Sequence, residues 1–451
     1  MKHVRLQTIF PSRLVCWMVA VCMSILPISP VAATPPATLT PIMWMRVDPA
    51  HPQTVYIGGY RKVRQNCRPQ YVYTSACPSW ALRSLDGGAT WRNLNRALAA
   101  GQDIDYSAQA HAPNEPFGCF SNPQPFVVNP DGQHLYVPLV AFCGDQLVGG
   151  LFGSGDQGRT WSPLMPKDSP SDLTIPCCAV VSPLSSRHVF AAEQVKTNSF
   201  GAVQNIYILV SEDSGAHWQR PPHGIYDAPS LRSMSTGDLV MVGIVADPSL
   251  LNTLYVGLIG NSPNRGYPIV WLRSDDAGGT WTSIPEPAGL SGIDHMMLQT
   301  DPSFPGKIEA QPSAYIPNVP VAATRAEGVR ADVRYVSSNQ GRAWLRTVCP
   351  GDFQGTCPRF ILYNVFGVGK SFALLPDGVH AFRGSGASGP RMDLKLPVAS
   401  VVEAEGGSHY GDPVYVLGHG PNPRSPNALY RSTDAGRTWQ RIAVPAVPLA
   451  S

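Results

Sequence analysis

An all-β chain built from repeated four-stranded antiparallel units is what this sequence predicts, on three observations. An eight-residue pattern, S-x-D-x-G-x-T-W, returns six times in register across 451 residues. A second marker, an apolar run ending in Asp, Asn or Ser followed by Pro, precedes most copies. Charged residues make up only 14% of the chain while Gly (42) and Pro (45) are abundant, which suits short strands and turns rather than long helices.

The six copies are SLDGGATW from Ser84, SGDQGRTW from Ser154, SEDSGAHW from Ser211, SDDAGGTW from Ser274, SSNQGRAW from Ser337 and STDAGRTW from Ser432. Asp and Ser side chains bond backbone amides just ahead of them, Gly accepts a left-handed backbone, and Thr and Trp start a strand. Each copy therefore reads as a hairpin tip. Its structural positions are Ser84, Asp86, Gly88 and Trp91; Ser154, Asp156, Gly158 and Trp161; Ser211, Asp213, Gly215 and Trp218; Ser274, Asp276, Gly278 and Trp281; Ser337, Asn339, Gly341 and Trp344; and Ser432, Asp434, Gly436 and Trp439. Six of the ten tryptophans occupy one place in the repeat, so they are expected to plug the space between neighbouring units.

The Pro markers are Asp48-Pro49 before Tyr56, Asn129-Pro130 before Tyr136, Ser182-Pro183 before Phe190, Asp247-Pro248 before Tyr255, and Asp301-Pro302. They mark the turn between the first two strands of a unit, and the tip joins the last two. The units then run over about 42–97, 124–165, 178–222, 240–286, 294–348 and 400–447. The longest spacing between tips, Ser337 to Ser432, leaves room for one more, without a tip, near Phe360 to Leu396. Seven such units predict a single β-propeller of four-stranded antiparallel blades; without the tipless unit the count is six.

Residues 1–33 read as a signal peptide, with Lys2, Arg5 and Arg13 ahead of an apolar run and small residues before Thr34; an uncleaved membrane tether is the alternative. The propeller then occupies 34–451, in a secreted or extracytoplasmic protein. Removing the leader takes three of the 34 basic residues and none of the 31 acidic ones, which leaves the mature chain in balance and gives no global case for nucleic acid or an anionic membrane as partner. Eight cysteines remain. Cys67 with Cys77 and Cys349 with Cys357 are the candidate local disulfides; the pairing of Cys119, Cys143, Cys177 and Cys178 stays open. No zinc-knuckle spacing is present, and neither a metal nor a cofactor is expected.

The tips resemble the Asp-box, or BNR, repeat of sialidase-like propellers, also found in sortilin-type receptors, xyloglucanase-type glycosidases and photosystem II assembly factors. The resemblance implies that the boxes are structural turns remote from the ligand face. Binding residues then belong to the opposite, loop-bearing face: 60–80, 99–121, 141–149, 193–205, 259–268, 313–334 and 348–358. The candidate ligand loop there holds Arg61, Arg64 and Tyr71, stiffened by a Cys67 to Cys77 link. The alternating charges from Arg325 to Arg334 read as internal pairs.

A sialidase of the resembling family carries an early arginine in an F/Y-R-I-P motif. In this chain Tyr60-Arg61 is followed by Lys62 and Val63, so no arginine inherits that place. Asp103, Asp105, Asp145, Asp294 and Asp352 are loop carboxylates with no distinguishing spacing, and Asp294-His295 is an acid/base candidate. Catalytic residues stay unknown. Two readings stand: a monomeric binding or scaffold module for a protein or glycan, and an extracellular glycoside hydrolase of sialidase-like or polysaccharide-degrading type.

Overall fold

The computed structural model describes residues 42–60, 79–94, 120–121, 126–143, 146–164, 173–196, 203–231, 239–260, 269–285, 296–300, 308–312, 334–347, 363–365, 370–375, 378–383, 391–395, 398, 400–406, 412–419, 427–434 and 436–445. Leu39–Ser451 forms one compact unit. The described strands fall into seven antiparallel sheets, each made from consecutive strands.

Sheet one holds β1 (Ile42–Val47), β2 (Val55–Tyr60), β3 (Ser79–Ser84) and β4 (Arg92–Asn93). Sheet two holds β5 (Phe120–Ser121), β6 (Val127–Val128), β7 (Leu135–Cys143), β8 (Gln146–Ser154) and β9 (Ser162–Pro163). Sheet three has β10 (Leu173–Ser182), β11 (Ser185–Lys196) and β12 (Val203–Ser211). Sheet four has β13 (Leu239–Ala246), β14 (Leu254–Gly260), β15 (Ile269–Ser274) and β16 (Thr282–Ile284). Sheet five has β17 (Met296–Thr300), β18 (Ile308–Pro312), β19 (Arg334–Ser337) and β20 (Leu345–Thr347). Sheet six has β21 (Tyr363–Val365), β22 (Lys370–Leu375), β23 (Gly378–Arg383) and β24 (Arg391–Lys395), and stands where the tipless unit is expected. Sheet seven has β25 (Ser400–Gly406), β26 (Val414–His419), β27 (Ala428–Ser432) and β28 (Gln440–Ile442).

Three details differ from the sequence expectation. Sheet two has five strands, because β5 and β6 both pair with β7, at Phe142–Ala141 and Tyr136–Leu135 respectively, as two halves of one interrupted first strand. The stretch 141–149, expected as a loop, is mostly strand: β-branched and apolar residues carry the β7–β8 pairing on to Cys143 and Gln146. Among the described residues sheet three lacks a fourth strand; one bridge, Val210 to Gln219, takes its place. Beyond Gln219 the chain meets Pro221 and Pro222, which cannot donate to a ladder. It turns instead into two 3₁₀ turns, Ile225–Asp227 and Pro229–Leu231, and buries Ile225, Tyr226 and Leu231 against residues of β12 and β13.

The core lies between sheets. Trp44, Tyr56, Leu94, Phe126, Leu135 and Trp161 pack between sheets one and two, with Phe126 set 5.1 Å from Trp44 and 5.3 Å from Trp161 at tilted angles. A comparable cluster joins the first and last sheets: Met45, Val47, Ile57 and Leu82 meet Tyr415, Leu417, Leu429 and Ile442. Among the described residues no helix is long and apolar enough to cross a membrane.

Of the six box tryptophans, Trp161 and Trp281 are buried while Trp91, Trp218, Trp344 and Trp439 are only half-buried, with Trp91, Trp218 and Trp344 packed against the clusters between sheets. The ring sits at the rim, with its polar edge available to backbone. Trp91 Nε1 donates to Ala443 O of the last sheet at 3.2 Å and Trp344 Nε1 to Pro285 O of the preceding sheet at 2.9 Å.

Candidate functional site

Every box is a closed hydrogen-bond circuit. In box one Ser84 Oγ donates to Asp86 Oδ1 at 2.7 Å and accepts from Gly88 N at 2.7 Å; Asp86 Oδ1 accepts from Thr90 N at 2.8 Å and Oδ2 from Thr90 Oγ1 at 2.5 Å. The serine-to-glycine and aspartate-to-amide bonds recur in the other five boxes, with Asn339 serving as the acceptor in box five. The turn needs two consecutive left-handed residues, as at Gln157 (φ 61) and Gly158 (φ 82). The second must be glycine for another reason, since a Cβ on it would strike the sheet before. Leu94 lies over Gly158, Leu164 over Gly215, Ile284 over Gly341 and, from the last sheet to the first, Ile442 over Gly88.

The fourth box residue ties the turn both to its own sheet and to the one before. Its amide donates to the turn between the first two strands of the same sheet, as in Gly87 N to Gln53 O at 2.7 Å and Gln157 N to Gln133 O at 3.0 Å, so both turns lie together. Its carbonyl accepts from the preceding sheet: Arg83 Nη1 to Gln157 O at 2.5 Å, Tyr136 Oη to Ser214 O at 3.0 Å, and Arg431 Nη1 to Gly87 O at 3.4 Å.

These bonds set the titration of the boxes. The Thr90 hydroxyl and amide, then Ser84, pull the Asp86 carboxyl down to about 2. Asp434 is pulled below the ordinary range by Thr438 and Ser432, and Asp213 by the His217 amide and imidazole. For Asp156 and Asp276 burial pushes upward, but bonds from Thr160 and Thr280 outweigh it and the net shift is downward. A carboxyl lowered on folding contributes stability that is present above its unfolded value near 4 and is lost as pH falls through the folded value. The boxes' contribution to the melting temperature is therefore expected to hold from neutrality to about pH 4 and to be lost between about pH 4 and 2, as several boxes titrate together. A scan of melting temperature against pH checks this; a flat profile down to pH 2 would exclude the boxes as the acid-labile element.

Box three departs from its siblings. His217 replaces threonine and its Nδ1–H donates to Asp213 Oδ2 at 2.6 Å, with the side chain 89% exposed. It borders a cleft of about 540 Å³ lined by Ser185, Arg187, His188, Glu212, Asp213 and Gln219. His188 Nδ1 lies 3.0 Å from Ser185 Oγ, with Nε2 3.9 Å from Glu212 Oε1. That arrangement looks like a nucleophile and base, yet the same i to i+3 contact recurs as Asp48 with His51 and Asp131 with His134 in the turns of sheets one and two. It is thus a turn device of the repeat.

A second constellation lies on the first strands of the first and last sheets. Glu403 and Glu405 alternate on β25 and reach across to β1. Glu403 Oε2 accepts from Met45 N at 2.6 Å and Glu405 Oε2 from Val47 N at 2.5 Å. Arg46 Nη1 donates to Glu403 Oε1 and, at 3.1 Å, to Glu405 Oε1, and also to Met45 O at 2.6 Å. The carboxylates thereby cap amides on the edge of β1 that has no partner among the described strands. The three side chains are between a fifth and a third exposed. Burial pushes the Glu405 carboxyl up to about 8, against the pull of Arg46 and with the repulsion of Glu403. Burial lowers the Arg46 guanidinium, but the two carboxylates more than reverse this. Neither Arg46 nor the two glutamates belongs to a motif that the sequence displays; the signal in the chain is an acidic residue at alternate places in the strand VVEAEG.

The expected ligand residues Arg61, Arg64 and Tyr71, the cysteines Cys67, Cys77, Cys349 and Cys357, and the Asp294-His295 pair all lie outside the described residues. Cys178 is half-buried against the core of sheets three and four. Among the described residues no group of three or more His, Cys, Asp or Glu side chains is placed to hold a metal ion.

No protein-family model matches the chain, and no curated protein matches it. Solved structures do. The chain is similar to the GH74 enzyme of Niastella koreensis, at 16% identity and TM-score 0.37 over 90% of this chain and 55% of that one. It therefore spans about half the length of that enzyme. It is similar to YCF48 bound to D1 peptide, at 16% identity and TM-score 0.38 over 73% of this chain and 85% of that one. It is also similar to the β-propeller domain of the Trilobed protease from Pyrococcus furiosus, at 7% identity and TM-score 0.47 over 91% of this chain and all of that domain.

Proposed function

We propose that the chain is an exported, seven-bladed Asp-box β-propeller that acts as a binding or scaffold module for a protein or glycan. Support for a closed ring comes from the seam between the last and first sheets, where Ile442 meets Gly88 as Leu94 meets Gly158 and Ile284 meets Gly341. The observation that carries the binding reading is that the described carboxylates with the most organised surroundings are committed to architecture: the box aspartates to their own turns, Glu403 and Glu405 to the amides of β1. The boxes occupy one rim, and ligand contacts belong to the loops of the other, Arg61, Arg64 and Tyr71 among them.

An extracellular glycoside hydrolase is the second reading. A panel of chromogenic glycosides and polysaccharides, run beside a crosslinking pull-down from the native surface, separates the two. Specific capture of a protein or glycan, weakened by R61A/R64A and without turnover, is the expected result. Robust turnover abolished by loss of a loop-face carboxylate would overturn the binding reading.

A further inference from the structure

Among the described side chains, the cluster on the first strands of the first and last sheets has an unbalanced charge. One guanidinium, Arg46, faces two carboxylates, Glu403 and Glu405, in a half-buried cluster where a net negative charge is costly. Among the described residues no strand passes from one sheet to the other, since β1–β4 and β25–β28 are each contiguous. Polar ties across this junction are the two glutamate-to-amide bonds, the Arg46 pairs, Tyr415 Oη to Pro52 O at 2.9 Å, Asn427 Nδ2 to Ile42 O at 2.6 Å, Trp91 Nε1 to Ala443 O and Arg431 to Gly87 O.

We propose that this seam is a proton-dependent clasp: the first and last sheets close around Arg46, Glu403 and a protonated Glu405, and removal of that proton loosens the junction. The proton comes from water and resides on the Glu405 carboxyl. It sits on Oε1, where it cancels the excess charge and weakens the 3.1 Å bond from Arg46 Nη1, while Oε2 goes on accepting from Val47 N. Among the described side chains, the charged and titratable groups facing Glu405 are Arg46 from β1 and Glu403 from its own strand. Tyr415, its register partner on β26, turns its hydroxyl to Pro52 O. The clasp belongs to the ring and is independent of which ligand the loops hold.

The direction follows from linkage. Glu405 is raised in the closed state to about 8, whereas in an open seam it returns to the ordinary value near 4.3. Closure therefore takes up a proton between those values. The clasp is at full strength below about pH 4, weakens as pH rises, and levels off above about pH 8.

Hydrogen exchange of the full chain, read by mass spectrometry on peptides covering β1 and corrected for intrinsic exchange, tests this directly, because the Met45 and Val47 amides are the groups the glutamates cap. Protection of β1 is expected to fall more than tenfold between pH 5 and 8, with protection of β14 unchanged, and Glu405→Gln is expected to remove the pH dependence. Protection that is flat across this range, or a Glu405→Gln variant with the wild-type dependence, would overturn the proposal. If the variant does not fold, the carboxyl carbon shift of Glu405 in the labelled wild-type chain decides the matter: a titration midpoint above 7 supports the clasp, and one near 4 to 5 refutes it.

Discussion

Replacing Gly88 by alanine will destabilise the full chain by about 3 kcal/mol, the sum of a left-handed backbone that an L side chain resists and an overpacked contact. Gly88 has φ 96°, and a Cβ there would lie 2.6 Å from Ile442 Cγ2 on the last sheet. Chemical denaturation checks the magnitude. Gly243→Ala is the control, since a Cβ at that position meets nothing within 4 Å and should change stability by less than about 0.5 kcal/mol. If the seam is closed in solution, Ile442→Ala in the Gly88→Ala background will recover about 1 kcal/mol of the steric part, a coupling that a double-mutant cycle isolates. Strict additivity would place Ile442 away from Gly88 and count against ring closure.

The second large effect is expected at Asp247. This carboxylate is 1% exposed and organises the turn between β13 and β14. Its Oδ1 accepts from Ser249 N at 2.8 Å and Leu250 N at 3.1 Å, and its Oδ2 from the buried Tyr255 hydroxyl at 2.7 Å. Asp247→Ala strands two amides and two hydroxyls, those of Ser249 and Tyr255, and should cost about 3 kcal/mol. Asp247→Asn should cost less than half of that. Sheet two shows why: Asn129 keeps the same turn through its Oδ1, which accepts from Asp131 N at 3.1 Å, while its amide donates to Tyr136 Oη at 3.3 Å and Tyr136 passes its own proton on to Ser214 O. Equal losses for alanine and asparagine would mean that the carboxylate charge, not the hydrogen-bond geometry, is what the site requires.

Much of the architecture is legible in the chain because its determinants are local. A serine, an aspartate and a glycine within five residues are enough to close a tip, and Asp48, Asn129 and Asp247 sit beside the proline that marks their turn. Even the tipless sheet from β21 to β24 leaves a trace, since an unusually long interval between tips has to contain something. The three-stranded form of sheet three is a departure from the pattern, although Pro221-Pro222 carries the signal: two residues without an amide proton directly after the tip strand leave a ladder nothing to hold.

The seam lies beyond sequence reading for a different reason. Arg46 and Glu403 are 357 residues apart, and nothing local in WMRV or VVEAEG says that the two strands meet. Their encounter depends on the arrangement of everything between them, which no local pattern records. The half-buried tryptophans belong to the same class of surprise: periodic spacing predicts that they recur, but how deep each sits depends on the width of the gap left by its neighbour.

Because every sheet is assembled from an unbroken run of chain, a whole unit is also a whole segment of gene. Duplication or deletion of one such segment would leave all remaining strand pairings intact and alter only the two junctions that flank it. Copy number is then free to drift in evolution, with the limit set by whether the first and last members can still find each other. Among the described residues, the ties between those two members all run through side chains.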